Sequence, residues 1–388
     1  LLAEDLPNFT AFVDSVDASR VTCLRYLRPL RDMAKQLGVR IVYEKMRLTG
    51  DENRIRIFLT LAYWLATDGA AWPFAAASHE AALALVHRIL QAFELEYPSP
   101  VLQEVLAYHT TITQARITHG HTLNAPTQGP AYPVPNLFAG DARLTKAEQF
   151  SESEHLYQLN FLVPLYDSPG DPKVKQVLAI YQRYNPAMYG FVTRFLAQLP
   201  VTVLDVTQVA PALRDLIEAS LLAIVTSVLT FGFDLGAVVA YTFNRRVDAA
   251  LPDPQLEAIV QQTVTTALRD EDEQDVQPVL EPLVKGLYAN ILQFQRFTRP
   301  VEKVKVALML EPVTLGFIDL VTFIDQQPFV ELLRDHFESA DVIIKDSSLP
   351  LGLAKEQTPL IFKWDMNASS DLFGELFALL HALQQEKI

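Results

Sequence analysis

The chain has one cysteine among 388 residues. That excludes an intramolecular disulfide and any cysteine-rich zinc or iron–sulfur centre, and it fits a setting that does not depend on oxidation. Cys23 sits in "SRVTCLRYLRPL", an apolar and basic pattern of helical period, where a small half-buried residue is expected rather than a reactive thiol. Long hydrophobic runs are also missing. The most apolar stretch, "ASLLAIVTSVLTFGF" (219–233), lies between Glu218 and Asp234 and is too short for the ~18–20 residues a membrane span needs. It reads as a helix buried on all sides of a soluble protein. The first residues, "LLAEDLPNFTAF", show no basic n-region or cleavage pattern of a signal peptide.

Catalytic signatures are scarce. The sequence contains no GxSxG or SxxK nucleophile motif, no GxxxxGK[ST] or GxGxxG phosphate loop, and no HExxH. The histidines of "RITHGHT" offer the nearest approach to a metal site. His119 and His121 would share one side of a strand, with His109 upstream, yet no third ligand stands at motif spacing. Gly120 and the prolines beyond it point instead to a helix end, where a histidine suits the negative partial charge. The acidic run "RDEDEQD" (269–275) does not place Asp270, Asp272 and Asp275 at the i, i+4 spacing of a diphosphate-binding helix, so it reads as a solvated linker. No catalytic residue, cofactor site or metal ligand is assigned, and no small-molecule substrate is evident.

Glycine is sparse and proline abundant, 14 against 24, so proline must set many segment ends. Half the chain is apolar, enough for a large core. Amphipathic helices are expected at 18–38, 78–96, 99–117 and 143–166, after "SPGDP" (168–172), as two core helices within 211–250, and as two more in 252–297. Pro29 is expected to kink or split the first of these. "VRIVYEKMRL" (39–48) reads as a strand or hairpin, and "RIRIFLTLAYWLATDG" as either strand or buried helix. From 301 the texture changes: "EKVKVALML", "DVIIK" and "PLIFKW" read as strands, "FVELLRDHF" and "SSDLFGELFALLHALQQE" as helices. The expected fold is therefore mainly α-helical, with a small C-terminal α/β unit and an N-terminal strand or hairpin, mixed α+β overall. Its regions would be 1–117 (mostly helical, with the basic segment 20–56), a proline-rich extended loop at 118–140, a helical core at 141–300, and the α/β unit at 301–388.

Charge is the informative asymmetry. The chain carries −14, but residues 20–56 carry ten basic and four acidic side chains, a local +6 against −20 elsewhere. Arg20, Arg25, Arg28, Arg31, Lys35, Arg40, Lys45 and Arg47 are the candidates for contact with a phosphate backbone; Arg54 and Arg56 complete the count. A solvated helix face with local ion pairs would give the same pattern. Phe294, Arg296, Phe297 and Arg299 also alternate in a way that suits base stacking, though they equally extend a helical apolar stripe.

In the 118–140 loop, Pro126, Pro130, Pro133 and Pro135 forbid helix and central strand, and with Tyr132 and Phe138 they form a pre-stiffened arm suited to docking on a neighbouring subunit. Helices, proline arms and the absence of a convergent polar triad suggest a non-enzymatic, self-assembling structural protein. The concrete expectation is a capsid or nucleocapsid subunit of an RNA virus, located in the virion or cytoplasm, that contacts copies of itself and RNA. The alternatives are an accessory subunit of a large organellar or membrane-associated complex, and a helical enzyme or carrier binding an apolar ligand around 211–250.

Overall fold

The computed structural model describes residues 1–92, 100–123, 131–162, 166, 168–244, 253–268, 276–298, 302–310, 317–327, 329–333, 339–346, 359–365 and 369–387. The chain divides into two compact units, Leu1–Thr298 and Arg299–Ile388. It is mixed α+β and mainly helical, with an N-terminal antiparallel hairpin and a small parallel sheet near the C-terminus.

The first unit begins with α1 (Phe9–Ser15) and α2 (Arg20–Gln36), capped by Asn8 and Ser19, whose side-chain oxygens accept from Ala11 N and Thr22 N. Helix α2 runs through Pro29 without a break, so it is not split there. Strands β1 (Arg40–Val42) and β2 (Arg47–Thr49) pair Ile41 with Leu48 and turn both inward. Helix α3 (Glu52–Thr67) starts at Asp51, whose carboxylate accepts from Arg54 N, and ends at Asp68 in the left-handed region. The ambiguous run "RIRIFLTLAYWLA" is thus a helix. Its residues 55 to 61 are all buried, so burial on every side erased the amphipathic period.

Helices α4 (His79–Ala92), α5 (Pro100–Thr118), α6 (Lys146–Leu162), α7 (Pro172–Tyr184), α8 (Pro186–Gln198), α9 (Pro211–Phe231), α10 (Leu235–Asn244), α11 (Pro254–Ala267) and α12 (Leu280–Thr298) build the rest of this unit. Here the proline excess finds its use. Five of these helices open on proline, where the missing N–H has no intrahelical partner to lose. At Asp171, Asn185 and Asp253 the preceding side chain caps the helix as well. Every residue of α9 from Ile217 to Val228 is buried, which places the most apolar stretch at the centre of the unit. One core, including Val86, Ile89, Tyr181, Phe195, Leu221 and Val260, gathers side chains from α4 to α9, α11 and α12. Ile117 before the 118–140 segment, Phe138 within it and Leu144 after it share this core. A second core joins the hairpin and α3 to Tyr108, Ile112 and Phe231.

In the second unit, β3 (Val304–Met309), β4 (Val330–Leu333), β5 (Val342–Lys345) and β6 (Leu360–Lys363) form a parallel sheet in the order β4-β3-β5-β6. Helix α13 (Ile318–Asp325) lies between β3 and β4 in sequence, and α14 (Ser370–Glu386) follows β6. Leu320, Ile324, Leu376 and Leu380 cover one face of the sheet through Val304, Val306, Val342 and Ile344. The segment "FVELL" is a strand here rather than a helix: Val330 pairs with Val304, and 334–338 lie outside the described residues. A short apolar run has no period that separates a buried parallel strand from a helix.

Candidate functional site

Two assemblies of polar side chains in the first unit bear on function: an exposed basic face and a buried charged network. The basic face comes from α2 and the hairpin. Arg20, Arg25, Arg28, Arg31, Lys35, Arg40, Lys45 and Arg47 are all exposed. At 3.6 residues per turn the five on α2 fall within an arc of about 140°. Cys23, Leu30, Ala34 and Leu37 occupy the opposite side and turn inward or partly inward. Their partners are few. Arg28 and Arg31 approach Asp32 at 3.7 and 3.9 Å with all three side chains half or more exposed, contacts of little energetic weight. Arg20 lies over the Phe9 ring, Arg25 over Tyr26, and Arg47 reaches Glu4 at 3.4 Å.

The other two basic residues of the segment point the other way. Arg54 threads its guanidinium beside Gly38 and Gly232 and over the Phe233 ring. Arg56 is fully buried. Its Nη1 and Nη2 fork onto both carboxylate oxygens of Glu152, its Nε donates to Glu52, and Nη2 also donates to the His121 carbonyl at 3.0 Å. Glu152 accepts further from Leu123 N. Arg116, equally buried, holds both oxygens of Glu52 at 2.9 and 2.7 Å and one of Glu4 at 3.0 Å. This network of Arg56, Arg116, Glu4, Glu52 and Glu152 ties the N-terminal stretch, α3, α5 and α6 together inside the fold. Such a set of buried ions is tolerable only because nearly every donor and lone pair is matched.

Of the histidines, His109 and His155 belong to this interior and His121 to its edge. Helix α5 ends in a Schellman motif: Gly120 has φ +78°, its N–H donates to Ile117 O, and His121 N donates to Arg116 O. His119 is exposed, and His121 Nε2 contacts Glu4 Oε1 at 2.7 Å. Burial works to raise the Glu4 carboxyl, but the His121 hydrogen bond and the charges of His121, Arg116 and Arg47 outweigh it and hold the group below its ordinary value. His109 lies deep in α5, where Nδ1 meets Thr60 Oγ1 at 2.9 Å and Nε2 meets Nε2 of His155 at 3.0 Å. Among the described residues no three His, Cys, Asp or Glu side chains converge as metal ligands.

Hydrogen counting fixes the direction of the chain. The Thr60 hydroxyl donates to Arg56 O, so it accepts from His109 Nδ1–H; His109 Nε2 is then an acceptor and His155 Nε2–H the donor. His155 Nδ1 is left buried without a partner. Burial, with the Arg56 charge added, pushes His109 down to about 3; burial, His109 and Arg56 push His155 well below its ordinary value. Two neutral imidazoles locked in opposite tautomers, neither more than 2% exposed, serve packing and register rather than chemistry on a solute.

The proline-rich segment divides. Pro126 and Pro130 lie outside the described residues, Pro133 and Pro135 are exposed, and Phe138 is buried in the main core. Tyr132 is half-buried, edge-on to Tyr184 and hydrogen-bonded to Ala92 O at 3.4 Å. Tyr132 and Phe138 thus pack on their own chain, Phe138 inside the core and Tyr132 with part of its ring exposed. Of the stacking candidates, Phe294 is buried in the core and Arg299 lies outside the described residues. Residues 269–275, the acidic run, also lie outside them.

Sequence reasoning missed the ion network altogether. Its only trace is that Arg56 stands inside a strongly apolar stretch, where a charge needs an internal partner. No helix among the described residues is long and apolar enough to cross a membrane. No protein-family model matches the chain, and no curated protein sequence matches it.

Proposed function

We propose that the chain is a non-enzymatic assembly protein that binds the phosphate backbone of RNA through the exposed face of α2 and the hairpin. The observation that carries this reading is the sorting of the basic segment: eight cations are exposed, while Arg54 and Arg56 turn inward to fixed partners. A segment whose charge served only internal ion pairs would not leave a whole helix arc weakly paired. Lysine and arginine at this density gain affinity by releasing counterions from the nucleic acid. The −20 carried by the remaining residues opposes unspecific wrapping and confines contact to one face.

In its most specific form the reading is a capsid or nucleocapsid subunit of an RNA virus that contacts further copies of itself. The exposed Pro133 and Pro135 support a docking arm there, since a stiffened segment loses little entropy on association. Gel filtration and negative-stain imaging, with and without single-stranded RNA, test that form. Shells, rods or RNA-dependent oligomers are expected, and a monomer that ignores RNA at low salt overturns it.

A further inference from the structure

Two apolar side chains of the basic helix stand in solvent. In the run "LRYLRPLR" (24–31) of α2, Leu24, Leu27 and Leu30 pack on the clusters beneath the helix, while Tyr26 joins none of them. Tyr26 is 72% exposed and Val21 77%, the two highest values among the large apolar side chains of the described residues. At 3.6 residues per turn Val21 falls inside the arc of cations, between Arg28 and Arg25, and Tyr26 lies about 100° beyond Arg25. The Arg25 guanidinium leans over the Tyr26 ring, 5.2 Å from its centroid, and ties the ring to the edge of the arc. With Arg25 on one face and the residue still this exposed, the opposite face of the ring is open to a flat ligand.

An open aromatic ring beside a guanidinium, at the border of a field of cations, suits unpaired nucleobases: phosphates meet the charges and a base stacks on the ring. We propose that the α2 face takes single-stranded RNA, with one unpaired base stacked on the open face of Tyr26 and the neighbouring phosphates held by Arg25, Arg28 and Arg31. This rests on the RNA reading above and adds the form of the RNA. A duplex carries phosphates at higher density, so charge alone would favour it. Its bases are stacked inside the double helix, however, and Tyr26 finds no free π-face there. Every base has such a face, so the preference is for unpaired bases rather than for a sequence.

Anisotropy titrations of the full chain with a labelled oligoadenylate, a strand of equal length lacking bases, and the corresponding duplex test this. Oligoadenylate is expected to bind about fivefold or more tightly than the baseless strand, and more tightly than the duplex. Tyr26→Ala and Tyr26→Leu are each expected to weaken oligoadenylate about five- to tenfold and to leave the baseless strand unaffected. The salt slope stays unchanged, because no charge is lost. Tyr26→Phe keeps the ring and is expected to bind like the parent. Tyr26 belongs to no core cluster, so the thermal transitions of all three variants are expected to match the parent's. A tighter duplex, or a Tyr26→Ala variant that binds oligoadenylate like the parent, overturns the proposal. If Arg25→Gln, Arg28→Gln, Arg31→Gln combined still flattens the slope, the phosphate reading survives that failure; if no strand binds at low salt, both fall. Loss of binding to phosphatidylserine vesicles in Tyr26→Ala, with oligoadenylate affinity unchanged, would assign the ring to a lipid surface and overturn the proposal equally.

Discussion

His155 donates its Nε2 hydrogen to Nε2 of His109 across 3.0 Å, inside the helical unit and away from solvent. A second proton on His109 would go to Nε2 and break its bond with His155 Nε2–H; one on His155 would go to Nδ1, which is buried without a partner. Charging either also places a cation beside the buried guanidinium of Arg56.

This pair makes stability depend on pH with a defined sign. In the unfolded chain both histidines titrate near 6.5; in the fold His109 titrates at about 3 and His155 well below its ordinary value. Below 6.5 the unfolded state therefore binds more protons, and stability is fully present above that pH and declines as pH falls through it. The slope approaches ~2.7 kcal/mol per pH unit for two protons. Urea midpoints between pH 7.5 and 5 measure it. A double His109→Leu, His155→Leu variant is expected to flatten the curve over this window, whatever its stability at pH 7.5; an unaltered slope would place the pH dependence elsewhere.

The ion network predicts an asymmetry between single and double removal. Arg56→Met leaves Glu152 buried opposite an uncharged side chain, with its bonds to both guanidinium nitrogens gone. The expected loss is about 3–5 kcal/mol. Arg56→Met combined with Glu152→Leu removes both charges and is expected to recover a large part of that loss. Chemical denaturation of the three variants closes the cycle, and additive losses would show that the two side chains do not act as a pair.

Gly232 ends α9 in the left-handed region, at φ +74°, and a methyl group there would sit 2.8 Å from Nη2 of Arg54. Gly232→Ala therefore incurs both backbone strain and displacement of Arg54 from the Phe233 ring. A loss of about 1–2 kcal/mol in a thermal or urea transition is expected. In Arg54→Ala the collision disappears, so adding Gly232→Ala to it is expected to cost less than in the parent chain.

Much of the architecture was legible in the sequence because local signals agreed with packing. Asp51, Asp171 and Asp253 cap helices where they stand before apolar runs, and Pro172, Pro186, Pro211 and Pro254 open them. Legibility failed where burial removed the period. Residues 55–61 of α3 are buried on every side, Arg56 and Thr60 included, and Glu331 alone interrupts the apolar run "FVELL", so only tertiary partners decide between helix and strand. Pro29 does not split its helix: an exposed proline remains inside an unbroken α2. The site was half legible. The five basic residues of α2 are exposed as their helical spacing suggested, as are the three of the hairpin, but Arg56 was counted with them although its partner Glu152 is 96 positions away. Ion pairs between distant segments leave no spacing to read. Tyr132 and Phe138 likewise turned back onto their own core, since an aromatic in a proline-rich segment serves an internal pocket as well as a neighbour's.

The salt dependence of RNA binding tests the central claim most directly. Affinity for single-stranded RNA, measured by fluorescence anisotropy at several salt concentrations, is compared between the parent chain and Arg25→Gln, Arg28→Gln, Arg31→Gln combined. All three side chains are exposed, so the variant is expected to fold with an unchanged thermal transition. If the α2 face grips phosphates, affinity falls and the log–log slope flattens by about 0.7 for each phosphate no longer neutralised. Equal affinity with an unchanged slope would contradict the account.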